Sequence, residues 1–277
     1  MSSLSLGYSP CPNDTFIFYG LVHGKLDGAP QVLQVLEDIE TLNGMALEER
    51  LDLTKISFHA FGHLRETYCL LHAGGALGRG CGPLVVVPEG RRSEDLAGKR
   101  IAIPGKLTTA ALLLRLYHPG LNDLHILPFN EIINAVSSGD VDAGVIIHEG
   151  RFTYPKYGLR QVIDLGAWWE QTTGHPIPLG GILARRSLGP EAIQRADQAL
   201  KDSITYAKSN PDAVLDYILQ HAQEMDEQVV REYIDLYVNR YTEDYGPDGE
   251  AAINDLIIRA QAADILPKSS SPLFIDG

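Results

Sequence analysis

Leu84-Val85-Val86-Val87-Pro88-Glu89-Gly90 and, further along, Pro176-Ile177-Pro178-Leu179-Gly180-Gly181 decide how this chain is divided. Each sets a strand-like apolar run beside a Pro/Gly segment, the usual punctuation of chain turns. Read as hinges, the two segments split the chain into a discontinuous lobe, residues 1–88 plus 182–277, and an inserted lobe, residues 89–181. Outward from these points, short apolar runs alternate with helical patterns. Strands are predicted at 3–8, 31–36, 53–57, 84–87, 99–103, 125–127, 143–147, 161–164 and 180–184. Helices fit at 14–23, 39–50, 109–117, 131–138 and 166–172. Such alternation argues for parallel sheets. From Pro190 to Ala263 the pattern is nearly all helical. Pro190 suits a helix start, where its missing N–H costs nothing. Asn210-Pro211 and Tyr245-Gly246-Pro247 break this run into three or four helices. A single doubly wound domain with a helical tail fits the same pattern. The middle stretch carries about four strands of its own, which favours an α/β fold of two lobes.

The 277 residues carry a formal charge of −13, with 44% hydrophobic and 21% charged side chains. That balance argues against nucleic acid and anionic membrane surfaces, which need a basic footprint. Arg91-Arg92 and Arg185-Arg186 are isolated pairs, expected to be solvated. Cys11, Cys69 and Cys81 form neither a CxxC motif nor a disulfide framework. Met1-Ser2-Ser3-Leu4-Ser5-Leu6-Gly7 shows no basic start and no apolar core of a leader. No run approaches the ~20 apolar residues of a membrane span. The expected location is the cytoplasm.

Ligands of open α/β sheets bind beyond the carboxyl ends of strands, so the residues after each strand matter most. Ser9-Pro10-Cys11-Pro12-Asn13-Asp14-Thr15 is a proline-stiffened turn. Asn13 or Asp14 can cap the next helix, and Pro10, Asn13 and Asp14 are candidate pocket wall. Cys11 has no partner base nearby in sequence. Lys55-Ile56-Ser57 ends another strand. A buried ammonium there needs a partner, unless Lys55 snorkels to water. Ser57 offers a hydroxyl and a backbone N–H to a ligand oxygen. His59 and His63 share a helical face, but no further ligands complete a metal set, and no metal is expected. Pro104-Gly105-Lys106-Leu107-Thr108-Thr109-Ala110 opens a helix whose free N–H groups suit a carboxylate; simple threonine capping is the alternative. It lacks the spacing of a Walker A loop. His148 follows Val145-Ile146-Ile147 at a strand tip, where an imidazole can take a proton near neutral pH; a buried, hydrogen-bonded histidine is the alternative, and Glu149 either orients it or only favours the following turn. Trp168 and Trp169 either cover a flat ring or fill core between the lobes.

These segments together resemble the 1,4-dihydroxy-6-naphthoate synthase family. The resemblance rests on Ser9-Pro10-Cys11-Pro12-Asn13-Asp14-Thr15-Phe16, Lys55-Ile56-Ser57, Gly80-Cys81-Gly82-Pro83-Leu84-Val85, Ile103-Pro104-Gly105 with Thr108-Thr109-Ala110, Ile147-His148-Glu149-Gly150-Arg151 and Pro176-Ile177-Pro178-Leu179-Gly180-Gly181. It extends to about Ala184. It implies the type II periplasmic-binding-protein fold used as an enzyme, with a ligand cleft between lobes. It implies cyclic dehypoxanthinyl futalosine as the substrate, and 1,4-dihydroxy-6-naphthoate and dihydroxyacetone as products, on the menaquinone route. No cofactor or metal is implied. His148 is the implied proton acceptor, while Lys55, Ile56, Ser57, Thr109 and Ala110 hold the substrate. Two rivals share the fold: a non-catalytic solute-binding protein for a small carboxylate, and the chorismate-dehydrating sister enzyme. A carboxylate-binding regulator domain fits less well, for want of a DNA-binding module. Oligomeric state is left open, although the helical last third offers a face for a homodimer.

Overall fold

The computed structural model describes residues 3–91, 95–222 and 226–275, so Arg92 of the expected surface pair lies outside the described residues. The chain opens with β1 (Leu4–Tyr8), α1 (Pro12–Val22), β2 (Val32–Leu36), α2 (Ile39–Leu47), β3 (Leu53–Ser57) and α3 (Phe58–Gly62). Two short strands follow, β4 (Tyr68–Leu70) and β5 (Ala76–Gly78). The middle holds β6 (Leu84–Pro88), β7 (Ile101–Ile103), α4 (Thr109–Tyr117), β8 (Leu124–Ile126), α5 (Phe129–Ser138), β9 (Ala143–Ile146), α6 (Gly150–Thr153), β10 (Leu159–Asp164) and α7 (Leu165–Thr173). β11 (Ile177–Arg185) leads into α8 (Pro190–Ser209), α9 (Pro211–His221), α10 (Glu227–Tyr237), α11 (Arg240–Glu243) and α12 (Gly246–Ala262). Pro190 does open α8. The described residues of the last third divide into five helices, one more than expected at most, because α11 is a single turn closed by its own capping box.

The strands form two sheets. One has the order β2-β1-β3-β11-β4 with β5 also on β11, and the other β10-β6-β9-β7-β8. β6 therefore already belongs to the second sheet and β11 to the first, which moves both expected crossing points. The chain crosses out through 79–83, ahead of Pro88, and returns through 174–176. Pro88-Glu89-Gly90 is a turn at the far end of the second sheet, where the Glu89 N–H donates to the Gly158 carbonyl at 2.9 Å. Pro178-Leu179-Gly180-Gly181 is strand, not hinge, pairing through Gly180 and Gly181 with Ser57 and Ile56. The glycines are there for closeness. A Cβ on Gly180 would lie 2.6 Å from the Ile56 carbonyl oxygen, and one on Gly181 2.6 Å from the Tyr245 hydroxyl. The outgoing crossing packs on the start of α7, where a Cβ on Gly82 would lie 2.3 Å from the Gly166 Cα.

Neither sheet is purely parallel, contrary to expectation. β1 pairs parallel with β2 and β3, and β7 with β8 and β9. β11 runs antiparallel to β3, and β6 antiparallel to β9 and β10. The right-handed βαβ crossover governs successive strands of one sheet. β6 and β11 enter from the other sheet and escape that rule.

Two larger apolar clusters hold the molecule together. One packs α1 against α8 and α9 over the first sheet, through Phe16, Ile17, Ile204 and Ile218. The other runs through both sheets. It joins Ile56 and Phe58 to Val85, Val87, Ile103 and Leu112, with Ile253 and Leu256 of α12 bridging the two halves. A smaller one sits under α5.

Candidate active site

One cavity between the sheets is lined by His148, Ser57 and Thr109, together with Asn13, Asp14, Lys55, Ile56 and Ala110. Its empty volume is about 670 Å³, part of it open to solvent. Pro10 lines a neighbouring cavity on the other side of His148, with Cys11 and Glu149.

The anionic end is built at the start of α4. Thr108 is the N-cap, and its hydroxyl oxygen accepts from the Ala111 N–H at 3.2 Å. Capping thus occupies one donor of the first turn. The Thr109 and Ala110 N–H groups precede any intrahelical acceptor, and both residues line the cavity. The Thr109 hydroxyl is committed elsewhere, donating to the Leu179 carbonyl at 2.5 Å. Its backbone, not its side chain, is available to an anion.

Ser57 offers less than expected. Its N–H donates to Asn43 Oδ1 at 3.0 Å, and its Oγ accepts from Asn43 Nδ2 at 3.3 Å. The backbone donor is spent, and the hydroxyl proton is what remains for a ligand.

Lys55 does not snorkel. It is 5% exposed, and its Nζ donates to Asp14 Oδ1 at 2.7 Å. Asp14 also accepts from Asn13 Nδ2 at 2.9 Å and from the Ser9 hydroxyl at 2.7 Å. A buried ion pair persists when its remaining lone pairs are satisfied in this way. Asn13 and Asp14 are therefore not caps. α1 begins at Pro12, with Cys11 as an N-cap whose side chain makes no capping bond. The proline occupies N1, which pushes the helix start ahead of Asn13.

His148 sits in the turn after β9 with φ +55°, a left-handed conformation that costs a non-glycine residue about 1 kcal/mol or more. Nδ1 lies 2.8 Å from the Tyr233 hydroxyl and 3.4 Å from Cys11 Sγ. Phe129 stands edge-on to the ring, with centroids 4.8 Å apart. Loss of hydration pulls the imidazole pKa below the usual histidine range, and Lys55 adds to this, while Glu149 and Asp14 act in the opposite sense. The neutral ring is the resting form near pH 7. Glu149 acts through its charge; the ring's hydrogen-bonding partners are Tyr233 and Cys11. Cys11 thus does have a base beside it, 137 positions away. Burial nevertheless drives its thiol pKa strongly upward, which opposes formation of a nucleophilic thiolate.

Tyr233 and Tyr237, four apart on α10, both reach the cavity. They lie in the helical third that carried no distinctive motif, and only their i, i+4 spacing marked a shared face. Asn43 was missed as well, being one polar residue on a helix. Trp169 is fully buried, with Nε1 donating to the Pro176 carbonyl at 3.1 Å, and Trp168 packs edge-on to Tyr117. Trp169 is core and Trp168 packs half-buried against it, both outside the cavity lining. His59 is buried behind the start of α4, with Nδ1 3.2 Å from the Thr108 carbonyl oxygen and its ring 5.8 Å from that of His63. Among the described residues, no three His, Cys, Asp or Glu side chains are grouped to hold a metal.

The chain matches the model of a menaquinone-biosynthesis family over residues 4–262. It is 50% identical over 275 residues to a 1,4-dihydroxy-6-naphthoate synthase of Thermus thermophilus, covering 99% of this chain and 100% of that one. It is 47% identical to a synthase of the same name from Streptomyces coelicolor, covering 96% and 95%. A crystal structure of an Archaeoglobus fulgidus protein superposes with a TM-score of 0.90 at 38% identity, over 95% of this chain and 98% of that one. The alkanesulfonate-binding protein of Xanthomonas axonopodis pv. citri superposes at 0.69 with 17% identity, over 97% and 95%. That last likeness shows the fold alone: the two-lobed architecture of periplasmic binding proteins.

Proposed function

The chain belongs to the menaquinone-biosynthesis family, and from that premise we propose that it converts cyclic dehypoxanthinyl futalosine to 1,4-dihydroxy-6-naphthoate and dihydroxyacetone, as a carbon–carbon lyase. The observation that carries the reading is the single cavity shared by a neutral histidine and the free N–H groups of a helix start.

The substrate joins a carboxylated bicyclic ring to a sugar-derived unit. Its carboxylate is held by the Thr109 and Ala110 N–H groups and the Ser57 hydroxyl proton. The helix dipole adds about half a unit charge. Lys55, neutralised by Asp14, fixes the wall beside Ser57. So anchored, the substrate lies with its acidic C–H against His148. In the tautomer this reading requires, Nδ1–H donates to the Tyr233 hydroxyl oxygen and Nε2 is the atom that accepts the proton. Carbon–carbon cleavage follows, and aromatisation of the second ring draws the reaction forward. One positioned base is sufficient for this step. General base catalysis contributes roughly 10²–10⁴-fold, and orientation in a water-poor cavity supplies much of the rest.

The partner in this reading is one small carboxylate, with neither nucleic acid nor a membrane required. No helix among the described residues is long and apolar enough to cross a membrane, and we place the protein in the cytoplasm. Purified protein incubated with the cyclic substrate is expected to generate naphthoate absorbance and dihydroxyacetone, and to leave chorismate untouched. Binding without turnover would instead identify a solute-binding protein.

A further inference from the structure

Two residues that touch neither His148 nor the start of α4 connect the halves of the cleft. Glu40 stands on α2, which packs on β3 of the first sheet. Its carboxylate reaches across to the loop before α4, where the Leu107 N–H donates to Oε1 at 3.2 Å and Oε2 at 3.3 Å. The fit is close. A Cβ on Gly105 would lie 2.4 Å from the Glu40 carboxyl carbon. The same carboxylate accepts from Asn43 Nδ2 at 3.2 Å. Asn43 is fully buried and turns its amide on Ser57, with Oδ1 accepting the backbone N–H and Nδ2 donating to Oγ.

The amide orientation follows from this arrangement. An oxygen must face the Ser57 N–H, so the NH₂ faces both Ser57 Oγ and Glu40. Ser57 Oγ then accepts a hydrogen bond from Asn43 and must direct its own O–H elsewhere. The carboxylate-binding end of the cavity is the acceptor that the proposed reaction supplies. We propose that Glu40 and Asn43 form a latch in which contact between Glu40 and the second sheet's 105–107 loop fixes the donor direction of Ser57, so that cleft closure and carboxylate grip are one event. Both are positioning residues, and the inference rests on the reading of Ser57, Thr109 and Ala110 as a carboxylate anchor.

The test combines kinetics, binding of 1,4-dihydroxy-6-naphthoate by calorimetry, and hydrogen exchange at the Leu107 amide. Glu40→Ala should raise KM and the naphthoate Kd about tenfold, the scale of one charge-assisted hydrogen bond, with kcat changed far less. The Leu107 amide should exchange faster even without ligand. Glu40→Gln keeps an acceptor and should recover most of the loss. Gly105→Ala, which displaces the carboxylate without removing it, should reproduce the Glu40→Ala phenotype. In a Ser57→Ala background, Glu40→Ala should cost little more, because its effect passes through that hydroxyl. The latch is refuted if Glu40→Ala leaves KM and Leu107 exchange at wild-type values, or if its full penalty persists without Ser57. Absence of turnover by the wild type would refute the reaction instead, while amide exchange would still decide whether Glu40 holds the loop.

Discussion

At His148, burial sets both the chemistry and its pH dependence. Its pKa lies below the usual histidine range, chiefly through lost hydration, so the basic form survives to lower pH than for a free imidazole. kcat/KM should therefore be flat through neutrality and fall only on the acid side of about pH 6.5. A profile still rising above pH 7 would contradict the assignment. Tyr233→Phe keeps the ring and deletes the hydroxyl that holds Nδ1. It should lower kcat about 10–100-fold with little change in KM, the mark of a lost tautomer and orientation. His59 titrates in a different currency. Its folded pKa is pushed down to about 4, mainly by burial. On acidification the unfolded chain takes up this proton first, near pH 6.5. Stability should thus fall between about pH 6.5 and 4, by on the order of 3 kcal/mol from this group. Urea midpoints across that range should show the slope, and His59→Asn should flatten it. The strand-end rule alone pointed to His148 and Ser57, because it needs only local pattern. The partners that decide their roles were illegible: Asn43 lies 14 positions from Ser57, Asp14 41 from Lys55, and Tyr233 85 from His148.

Among the elements, the start of α4 carries the most function. Thr109 is its first residue, and Thr108 before it is already extended with ψ 149°. Proline is therefore admissible at 109 on both counts. Thr109→Pro should raise KM about tenfold or more by deleting one N–H of the anchor, whereas Thr109→Val, which removes only the hydroxyl bond to the Leu179 carbonyl, should raise it far less. An unchanged KM in the proline variant would remove α4 from the anchor. β11 is the opposite case, where Gly and Pro signified close approach and not a bend. The two uses share one sequence signature, which is why the segment reads as a hinge. Gly180→Ala should cost about 1–3 kcal/mol by pressing on the Ile56 carbonyl, measurable as a lowered denaturation midpoint; a neutral effect would show that β3 and β11 can separate. β4 and β5 have three residues each, too few for an alternation to register.

Over the whole molecule, the two-lobed α/β architecture was readable from the alternation of elements, while strand direction was not. Parallel pairing is dictated within a βαβ unit, but β6 and β11 cross between sheets and their sense is fixed by tertiary packing. The large core running through both sheets, bridged by α12, gives the cleft firm walls. The catalytic proposal depends on those walls: His148 and the start of α4 both follow strands of the second sheet, while Ser57 ends β3 of the first, so the anchor is complete only when the two sheets are held in register. A crystal of His148→Asn soaked with cyclic dehypoxanthinyl futalosine tests this most directly, because asparagine tolerates the left-handed backbone at 148 and cannot serve as the base. The account predicts a substrate carboxylate about 2.7–3.2 Å from the Thr109 and Ala110 nitrogens and Ser57 Oγ, with the reacting carbon turned toward residue 148. A carboxylate bound away from α4, or a reacting carbon facing the opposite wall, would contradict it.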